Sequence, residues 1–174
     1  MVGALLDLSR IQTGQITLNL NELNLVTLLQ RIVDDIQPTL SDHTIALRGV
    51  QTDVMISGDE LRLEQVFHNL IGNAVKYSPA GGAVQIHLEV QGAQCCVAVK
   101  DAGIGIAVEA LPHLFERFYR APNESNRVIG GLGVGLYVVR EIVTLHGGTI
   151  AVESVEDQGS TFTVWLPSSP ITQV

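Results

Sequence analysis

The sequence predicts an α+β domain, a two-layer α/β sandwich whose mixed, mostly antiparallel sheet carries its helices on one face. Three observations lead to it. Residues 62–79, RLEQVFHNLIGNAVKYSP, place Leu63, Val66, Phe67, Leu70, Ile71 and Ala74 at i, i+3, i+4, i+7, i+8 and i+11, the single apolar face of a long helix. Val84, Ile86, Leu88 and Val90 then alternate with Gln85, His87 and Glu89, and Cys95 to Asp101 follows after a short turn, which reads as a hairpin of half-buried strands. Helical and strand patterns interleave along the chain, yet several strands are joined directly by turns, so the sheet cannot be all parallel.

Composition sets the outer bounds. The 174 residues suit one domain or one domain with an appendage, and at 46% hydrophobic they can bury a full core, made mainly of Leu, Val and Ile because aromatic residues are few. The formal net charge of -8 argues against nucleic acid as a partner, since no basic stripe is present to neutralise phosphates. Any polyphosphate ligand would therefore need local cations. The two cysteines, Cys95 and Cys96, are adjacent and fit neither a metal spacing nor a disulfide framework; they read as free thiols in a strand, in keeping with a reducing compartment. No apolar run approaches the roughly 20 residues of a membrane span, and no signal peptide is visible. The expectation is a soluble, cytoplasmic chain, itself one piece of a larger protein that is membrane-anchored in one reading.

Taken in order, Met1 to Thr13 is helical in pattern, with Leu5, Leu8 and Ile11 on its apolar positions and Gly14 as its stop; it begins in mid-pattern, like the cut end of a longer helix. Ile16 to Leu20, ITLNL, alternates as a short strand, and Leu25 to Ile36 returns to helical spacing before Pro38. Thr44 to Leu47 and Val54 to Ile56 are short strand candidates. Asp59 is placed to cap the long helix that follows, and Ala80-Gly81-Gly82 forms a turn. Leu111 to Tyr119 reads as a short aromatic-rich helix. Arg120 to Ile129 is polar and reads as a mobile loop, and Gly133 to His146 is a helix closed by Gly147-Gly148. Thr149 to Ser154 and Ser160 to Leu166 make a last hairpin around Asp157 to Gly159, and 168–174 is a tail.

Three stretches carry chemistry. On the long helix Asn69, Asn73 and Lys76 sit at i, i+4 and i+7, with Tyr77 at the end of the stripe. A solvated helix face usually carries Glu and Lys, because Asn competes for backbone hydrogen bonds, so two carboxamides one turn apart point to a site, with a plain polar outer face as the alternative. In DAGIGI, Asp101 follows Val97 and Val99 on one strand face, which sets a carboxylate on an apolar side where it needs a partner; the exocyclic amine of adenine is a suitable donor. Gly103 and Gly105 let the backbone run close to a ligand, or form a simple turn. In GGLGVGL, residues 130–136, glycines at the mouth of a helix let backbone N–H groups converge on an anion; no strand precedes them and no P-loop lysine follows, so neither familiar phosphate fingerprint applies.

Together and in this order, N-x-x-x-N-A-x-K-Y, D-x-G-x-G, F-E-R-F-Y-R and G-x-G-x-G-L, the chain resembles the catalytic, ATP-binding domain of two-component sensor histidine kinases. That domain has the Bergerat-type ATP-binding fold, shared with gyrase, mismatch-repair ATPases and the large heat-shock chaperone. The resemblance runs from about Ile16 to Pro167, and DLSRIQTG, Asp7 to Gly14, is similar to the end of the family's second dimerisation helix. It implies three parts: a dimerisation-domain remnant over 1–14, the catalytic domain over 15–167, and a tail over 168–174. It also implies roles. Asn73 is a Mg²⁺ ligand with Asn69 beside it, oxygen donors suiting that ion. Lys76 reaches a phosphate, Tyr77 packs on the base or ribose, Asp101 reads the adenine amine, and Gly103, Gly105 and Ile106 shape the wall beside the base. Arg120 is a further phosphate candidate. Gly131, Gly133 and Gly135 cradle phosphates with Leu132 and Val134 between them, and Leu136 starts the helix. Thr161 bonds Asp101 or a water at the base, and 116–132 forms the ATP lid. Asn69 and Lys76 are the candidates for a catalytic part.

Two departures bear on activity. Asn69 stands where the family's ATPase relatives carry a water-activating Glu, which favours phosphoryl transfer over hydrolysis. The acceptor of the kinases is a His followed by an acidic residue, and none of His43, His68, His87, His113 or His146 has that context. His87 falls on the polar side of a strand, and His146 lies at a helix end, where a cation suits the dipole. The chain thus resembles the catalytic half of a kinase. It implies ATP and Mg²⁺ as cofactors and, as partners, the kinase's own phosphoacceptor domain and a response-regulator receiver; the parent is a homodimer and the fragment compatible with a monomer. The alternatives are a Bergerat-fold ATPase or anti-sigma-type serine kinase, opposed by the F box and the DLSRIQTG remnant, and a non-catalytic nucleotide-binding module, opposed by the intact Asn73, Asp101 and glycines.

Overall fold

The computed structural model describes residues 16–49, 52–121 and 132–168. The helix expected over 1–13, its Gly14 stop and the tail after 168 lie outside these residues. Helices α1 (Leu25–Ile36), α2 (Glu60–Lys76) and α3 (Gly135–Leu145) are the α-helices among them. Strands are β1 (Asn21–Asn24), β2 (His43–Gly49), β3 (Met55–Gly58), β4 (Gly82–Gln91), β5 (Gln94–Lys100), β6 (Thr149–Val155) and β7 (Gly159–Pro167). Five of them form one sheet in the order β2-β4-β5-β7-β6, parallel at β2–β4 and antiparallel elsewhere, while β1 and β3 pair separately. No helix among the described residues is long and apolar enough to cross a membrane.

Each helix starts and stops for a local reason. Asn24 caps α1 by accepting from the Val26 N–H at 3.1 Å, and Asp59 caps α2 by accepting from the Arg62 N–H at 3.1 Å. Helix α3 ends in a Schellman turn: the Gly148 N–H donates to the Val143 carbonyl and the Gly147 N–H to the Thr144 carbonyl, with Gly147 at φ 72°. Between the caps, the apolar stripes all face the sheet. Leu63, Val66, Phe67, Leu70 and Ile71 of α2 are wholly buried, as are Leu25, Leu29 and Ile32 of α1 and Ile142 and Val143 of α3. They meet Val84, Ile86 and Leu88 of β4, Val97 and Val99 of β5, and Phe162, Val164 and Leu166 of β7. The intervening strand residues look away from the helices, with Gln85 and His87 exposed. This is the expected sandwich, with Phe67 as the largest side chain at its centre.

The expected elements move in four places. Residues 16–20 carry no strand; the strand lies just beyond them, Asn21–Asn24 against Met55–Gly58, with Leu23 opposite Ile56. Alternation marks an extended chain but not which residues find a partner, and for that reason the partner strand expected over 54–56 lies at 55–58. The long helix covers 60–76 rather than 62–79, since Pro79 cannot extend it and the Ser78 hydroxyl donates to the Ala74 carbonyl at 2.8 Å. The helix expected over 111–119 is only a 3-10 turn, Leu111–His113; Pro112 supplies no donor, and Phe118 sits at φ 62°, which no helix continues through. Helix α3 begins at Gly135 instead of Gly133, because Gly133 is at φ 68°.

Cys95 and Cys96 are free and buried, and burial pushes the Cys95 thiol up to about 11, which keeps it a thiol at neutral pH. Leu70→Ala, at the centre of the α2 face, should cost about 2–5 kcal/mol of unfolding free energy. Urea denaturation measures this, and a loss within the range of surface substitutions would mean that α2 is not the core helix.

Candidate functional site

A cavity of about 300 Å³ opens where the C-terminal half of α2, the start of α3 and the ends of β5 and β7 meet. Each wall has a local cause. Residues on α2 opposite its buried stripe supply Asn69, Asn73 and Lys76, with Tyr77 just beyond the last turn. The Asn73 Nδ2 donates to the Asn69 Oδ1 at 3.1 Å, which leaves the Asn73 side-chain Oδ1 without a protein partner among the described residues. Lys76 is half-buried, its Nζ 5.2 Å from the centroid of the Tyr77 ring. Burial first and the nearby Arg120 charge second hold the Lys76 ammonium below the usual lysine range, so its surroundings favour an arriving anion.

The far wall is the turn after β5. The Asp101 N–H donates to the Ser160 carbonyl at 2.9 Å, and its Oδ1 accepts from the Gly103 N–H at 2.8 Å and the Ser160 N–H at 3.3 Å. Its Oδ2 has no protein partner among the described residues, although the residue is only 5% exposed. Burial raises the Asp101 pKa above the usual carboxylate value, partly offset by the two backbone N–H groups. A buried carboxylate with one oxygen tied down and one free at a cavity is a built acceptor for an amine. The turn itself is wedged in place. A Cβ on Gly103 would lie 2.1 Å from the Tyr77 carbonyl oxygen, and one on Gly105, at φ 65°, would lie 2.0 Å from the Val155 carbonyl oxygen. Only glycine permits the chain to thread between the end of α2 and the β6–β7 hairpin.

The third wall is the start of α3. A Cβ on Gly135 would lie 2.5 Å from the Asn69 Nδ2, so the missing side chain lets α3 start directly against α2. Gly133 packs on the Phe118–Tyr119 backbone, where a Cβ would meet the Tyr119 carbonyl oxygen at 2.6 Å. Arg117 donates to the Tyr137 hydroxyl at 2.7 Å, which ties the 111–121 segment to α3.

Of the residues singled out by sequence, the structure brings Asn69, Asn73, Lys76, Tyr77, Asp101, Gly105, Ile106, Arg120, Leu132, Gly133, Val134, Gly135 and Leu136 to this one cavity. Gly103 supports it from behind, beneath Tyr77. Gly131 and most of the expected lid, residues 122–131, lie outside the described residues. Thr161 is not brought to Asp101. The Ser160 backbone N–H is the group bonded there, its hydroxyl meeting the Ser154 hydroxyl instead, and β7 turns Ser160, Phe162, Val164 and Leu166 inward and Thr161 the other way. Strand alternation counted back from Phe162 was the signal that could have found Ser160. Ile104, Leu114, Tyr119 and Phe162, which supply the apolar part of the lining, carried no signal beyond being apolar.

Fold and cavity define a class: an ATP-binding domain of the two-layer kind, here with one polar helix edge, one buried Asp and one glycine-opened helix start around a single cavity. A family described as "Histidine kinase-, DNA gyrase B-, and HSP90-like ATPase" matches residues 58–170, and the chain belongs to that family, as a catalytic domain of the histidine-kinase kind. It is 35% identical over 170 residues to the sensor histidine kinase WalK of Bacillus subtilis, covering 96% of this chain and 28% of WalK. It is 36% identical over 169 residues to the sensor-like histidine kinase SenX3 of Mycobacterium tuberculosis, covering 97% of this chain and 41% of SenX3. The chain thus spans less than half the length of these relatives. Among solved structures, the Acinetobacter baumannii histidine kinase AdeS superimposes with a TM-score of 0.77 at 28% identity, over 97% of this chain and 77% of that one. Full-length ShkA in complex with AMPPNP gives 0.84 at 27% identity, over 97% of this chain and 35% of that one.

Asp101 yields a two-sided prediction. Its folded pKa is raised, so the stability linked to it is fully present below the unfolded pKa and is lost as pH rises through the folded value; at neutral pH its charge costs stability. Asp101→Asn keeps the Oδ1 acceptor for Gly103 and Ser160 but turns a donor toward the cavity. The variant should melt at the same or a higher temperature at pH 7, with any gain shrinking toward acid pH. Its ATP affinity should fall roughly 10- to 150-fold, the worth of a charge-assisted hydrogen bond of about 1.5–3 kcal/mol. Calorimetry and thermal melts measure both, and unchanged ATP affinity in the folded variant would remove Asp101 from recognition.

Proposed function

We propose that this chain holds Mg–ATP and presents its γ-phosphate to a histidine of a separate phosphoacceptor domain, within a homodimeric sensor kinase that relays the phosphoryl group to a response regulator. In this reading residues 1–14 end a dimerisation helix, 15–167 form the catalytic domain and 168–174 a tail. The observation that carries the proposal is the mixed lining of the cavity: a buried acceptor, Asp101, two cations and a helix start share one cavity. A nucleotide, with an amine on its base and anionic phosphates, matches that lining. Asp101 takes the adenine amine, with Ser160 beside it. Tyr77, Ile104, Ile106 and Phe162 flank the base. Lys76 and Arg120 face the phosphates, and the amides around Gly133 and Gly135, with Gly131 by extension, cradle them.

The donor set suits Mg²⁺. Asn73 has a free carboxamide oxygen with Asn69 alongside, and the ion's remaining ligands would come from phosphate and water. That ion would supply charge neutralisation at the phosphates. The residues themselves position the γ-phosphate, which is most of what phosphoryl transfer asks of a protein. Two features support transfer over hydrolysis. Asn69, a carboxamide, cannot take a proton from water as a Glu would. And no histidine of this chain lines the cavity: His43 bonds the Ser78 carbonyl, His146 accepts from the Asp59 N–H, and His68, His87 and His113 face Glu64, Glu89 and Glu116. The acceptor then has to come from outside.

Asn73→Ala should weaken ATP binding in Mg²⁺ far more than in EDTA, because the lost oxygen acts through the ion; equal losses in both buffers would place Asn73 on the nucleotide or the fold instead. With radiolabelled ATP the chain alone should neither label itself nor release phosphate at an appreciable rate. A dimerisation segment added in trans should become labelled on histidine, slowly, since a tethered step becomes bimolecular. The bond should be acid-labile and base-stable. Rapid self-labelling, or fast phosphate release by the isolated chain, would overturn the proposal and put the ATPase reading in its place.

A further inference from the structure

One buried titratable side chain has no part in the site above. His146 is 8% exposed and sits as the C-cap of α3. Its Nε2 accepts a hydrogen bond from the Asp59 N–H at 3.0 Å. A backbone amide can only donate, so Nε2 carries no proton. Its Nδ1 lies 2.8 Å from the Ile142 carbonyl oxygen, which can only accept, so Nδ1 carries the proton. Both ring nitrogens are committed, and the imidazole is neutral in one tautomer. The expectation of a cation at this helix end gives way to a requirement for a bare nitrogen.

What the ring joins gives the bond its meaning. Asp59 is the N-cap of α2; its Oδ1 accepts from the Arg62 N–H and its Oδ2 from the Asn19 N–H at 2.9 Å. His146 is fixed on its own side by the Schellman turn. The ring therefore ties the start of α2 to the end of α3. At the start of α3, Gly135 meets Asn69, which lies midway along α2. Asn69 lies ten residues beyond Asp59 and Gly135 eleven before His146, spans of about 15 and about 17 Å at the helical rise. The Asp59–Asn69 stretch of α2 and the antiparallel α3 match in span and meet at both ends of that stretch, which closes a frame. The apolar side chains between the pins hold the helices together, but burial is non-directional and tolerates axial sliding better than a hydrogen bond does.

We propose that His146, as the neutral Nδ1–H tautomer, is a positioning residue for the nucleotide site: it sets the axial register of α3 against α2, and with it the placing of the α3 start against Asn69 and Asn73. His146 touches no nucleotide. It acts from the opposite end of the frame, where a shift of α3 would carry Gly133 and Gly135 away from the carboxamides or into them.

The test needs two readouts and three variants of the whole chain. Nitrogen NMR of the wild-type imidazole should show Nδ1 protonated and Nε2 bare at neutral pH, without nucleotide. In His146→Gln, Oε1 stands as many bonds from Cβ as Nε2 does, so it can still accept from Asp59; Mg–ATP affinity should stay within about twofold of wild type. His146→Asn can bond locally at the helix end but falls one carbon short of Asp59, and His146→Leu offers no acceptor. Both should bind Mg–ATP roughly tenfold more weakly while folded, the scale of effect expected when positioned groups are displaced slightly. Should the Leu variant fail to fold, the Gln and Asn pair decides the matter, because only the bond to Asp59 separates them. A charged ring or an Nε2–H tautomer overturns the proposal. So does an Asn variant that binds like wild type, or a Gln variant as weak as the Asn one. Equilibrium binding is read throughout, so the outcome is independent of whether phosphoryl transfer to histidine occurs.

Discussion

Helix α2 has to satisfy opposite demands on two faces, and most of the molecule follows from that constraint. Its apolar stripe is wholly buried against β4, β5 and β7, which fixes the rotation of the helix about its own axis. With rotation fixed, Asn69, Asn73 and Lys76 have one place to be: the seam between α2 and whatever packs beside it. That neighbour is α3, and it can lie there only because Gly135 presents no side chain to Asn69. The core does not merely support the site. It aims the polar edge, and the site forms where two close-packed helices leave room.

The turn after β5 meets a similar constraint from the other side. It passes between the Tyr77 carbonyl and the β6–β7 hairpin with no space for a Cβ at Gly103 or Gly105, and the Ile104 N–H donates to the Tyr77 carbonyl while the Asp157 N–H donates to the Ile104 carbonyl. Asp101 is thereby held by backbone on three sides. A carboxylate in such a setting keeps its geometry whether or not a ligand is present, so little ordering entropy remains to be lost when an amine binds. The cost appears instead as the raised Asp101 pKa, a destabilisation that the empty fold carries permanently.

The fold was largely legible because the strong signals were long. Six apolar residues at helical spacing in α2, and alternation over β4, leave little choice of element or facing. The misplacements fell where a partner decides the outcome. Strand β1 depends on where β3 lies, and the 111–119 segment, aromatic and apolar enough for a helix, is bent by Pro112 and held open at Phe118 by its packing on Gly133. In the site, the polar residues were readable because Asn, Asp and Gly are unusual in those positions. Ser160 was missed because it bonds Asp101 through its backbone N–H, a contact set by the β5–β7 pairing and not by the identity of a side chain. The bond from Asp59 to His146 spans 87 residues of sequence, and no local pattern announces it.

An acidic domain that binds a polyanion must concentrate its positive potential rather than spread it. With a net charge of -8, the chain as a whole repels nucleotides at long range, but screening confines that repulsion to about 8 Å at physiological ionic strength. Inside the cavity the local terms decide. Arg120 stands close enough to Lys76 to disfavour the lysine's charge, and the start of α3 lines the same volume. Asp101 lines the same cavity with its Oδ1 held by the Gly103 and Ser160 N–H groups and its Oδ2 without a protein partner among the described residues. A buried acceptor and two cations that line one cavity, with the acceptor not neutralised by either cation, leave that cavity able to meet groups of both kinds.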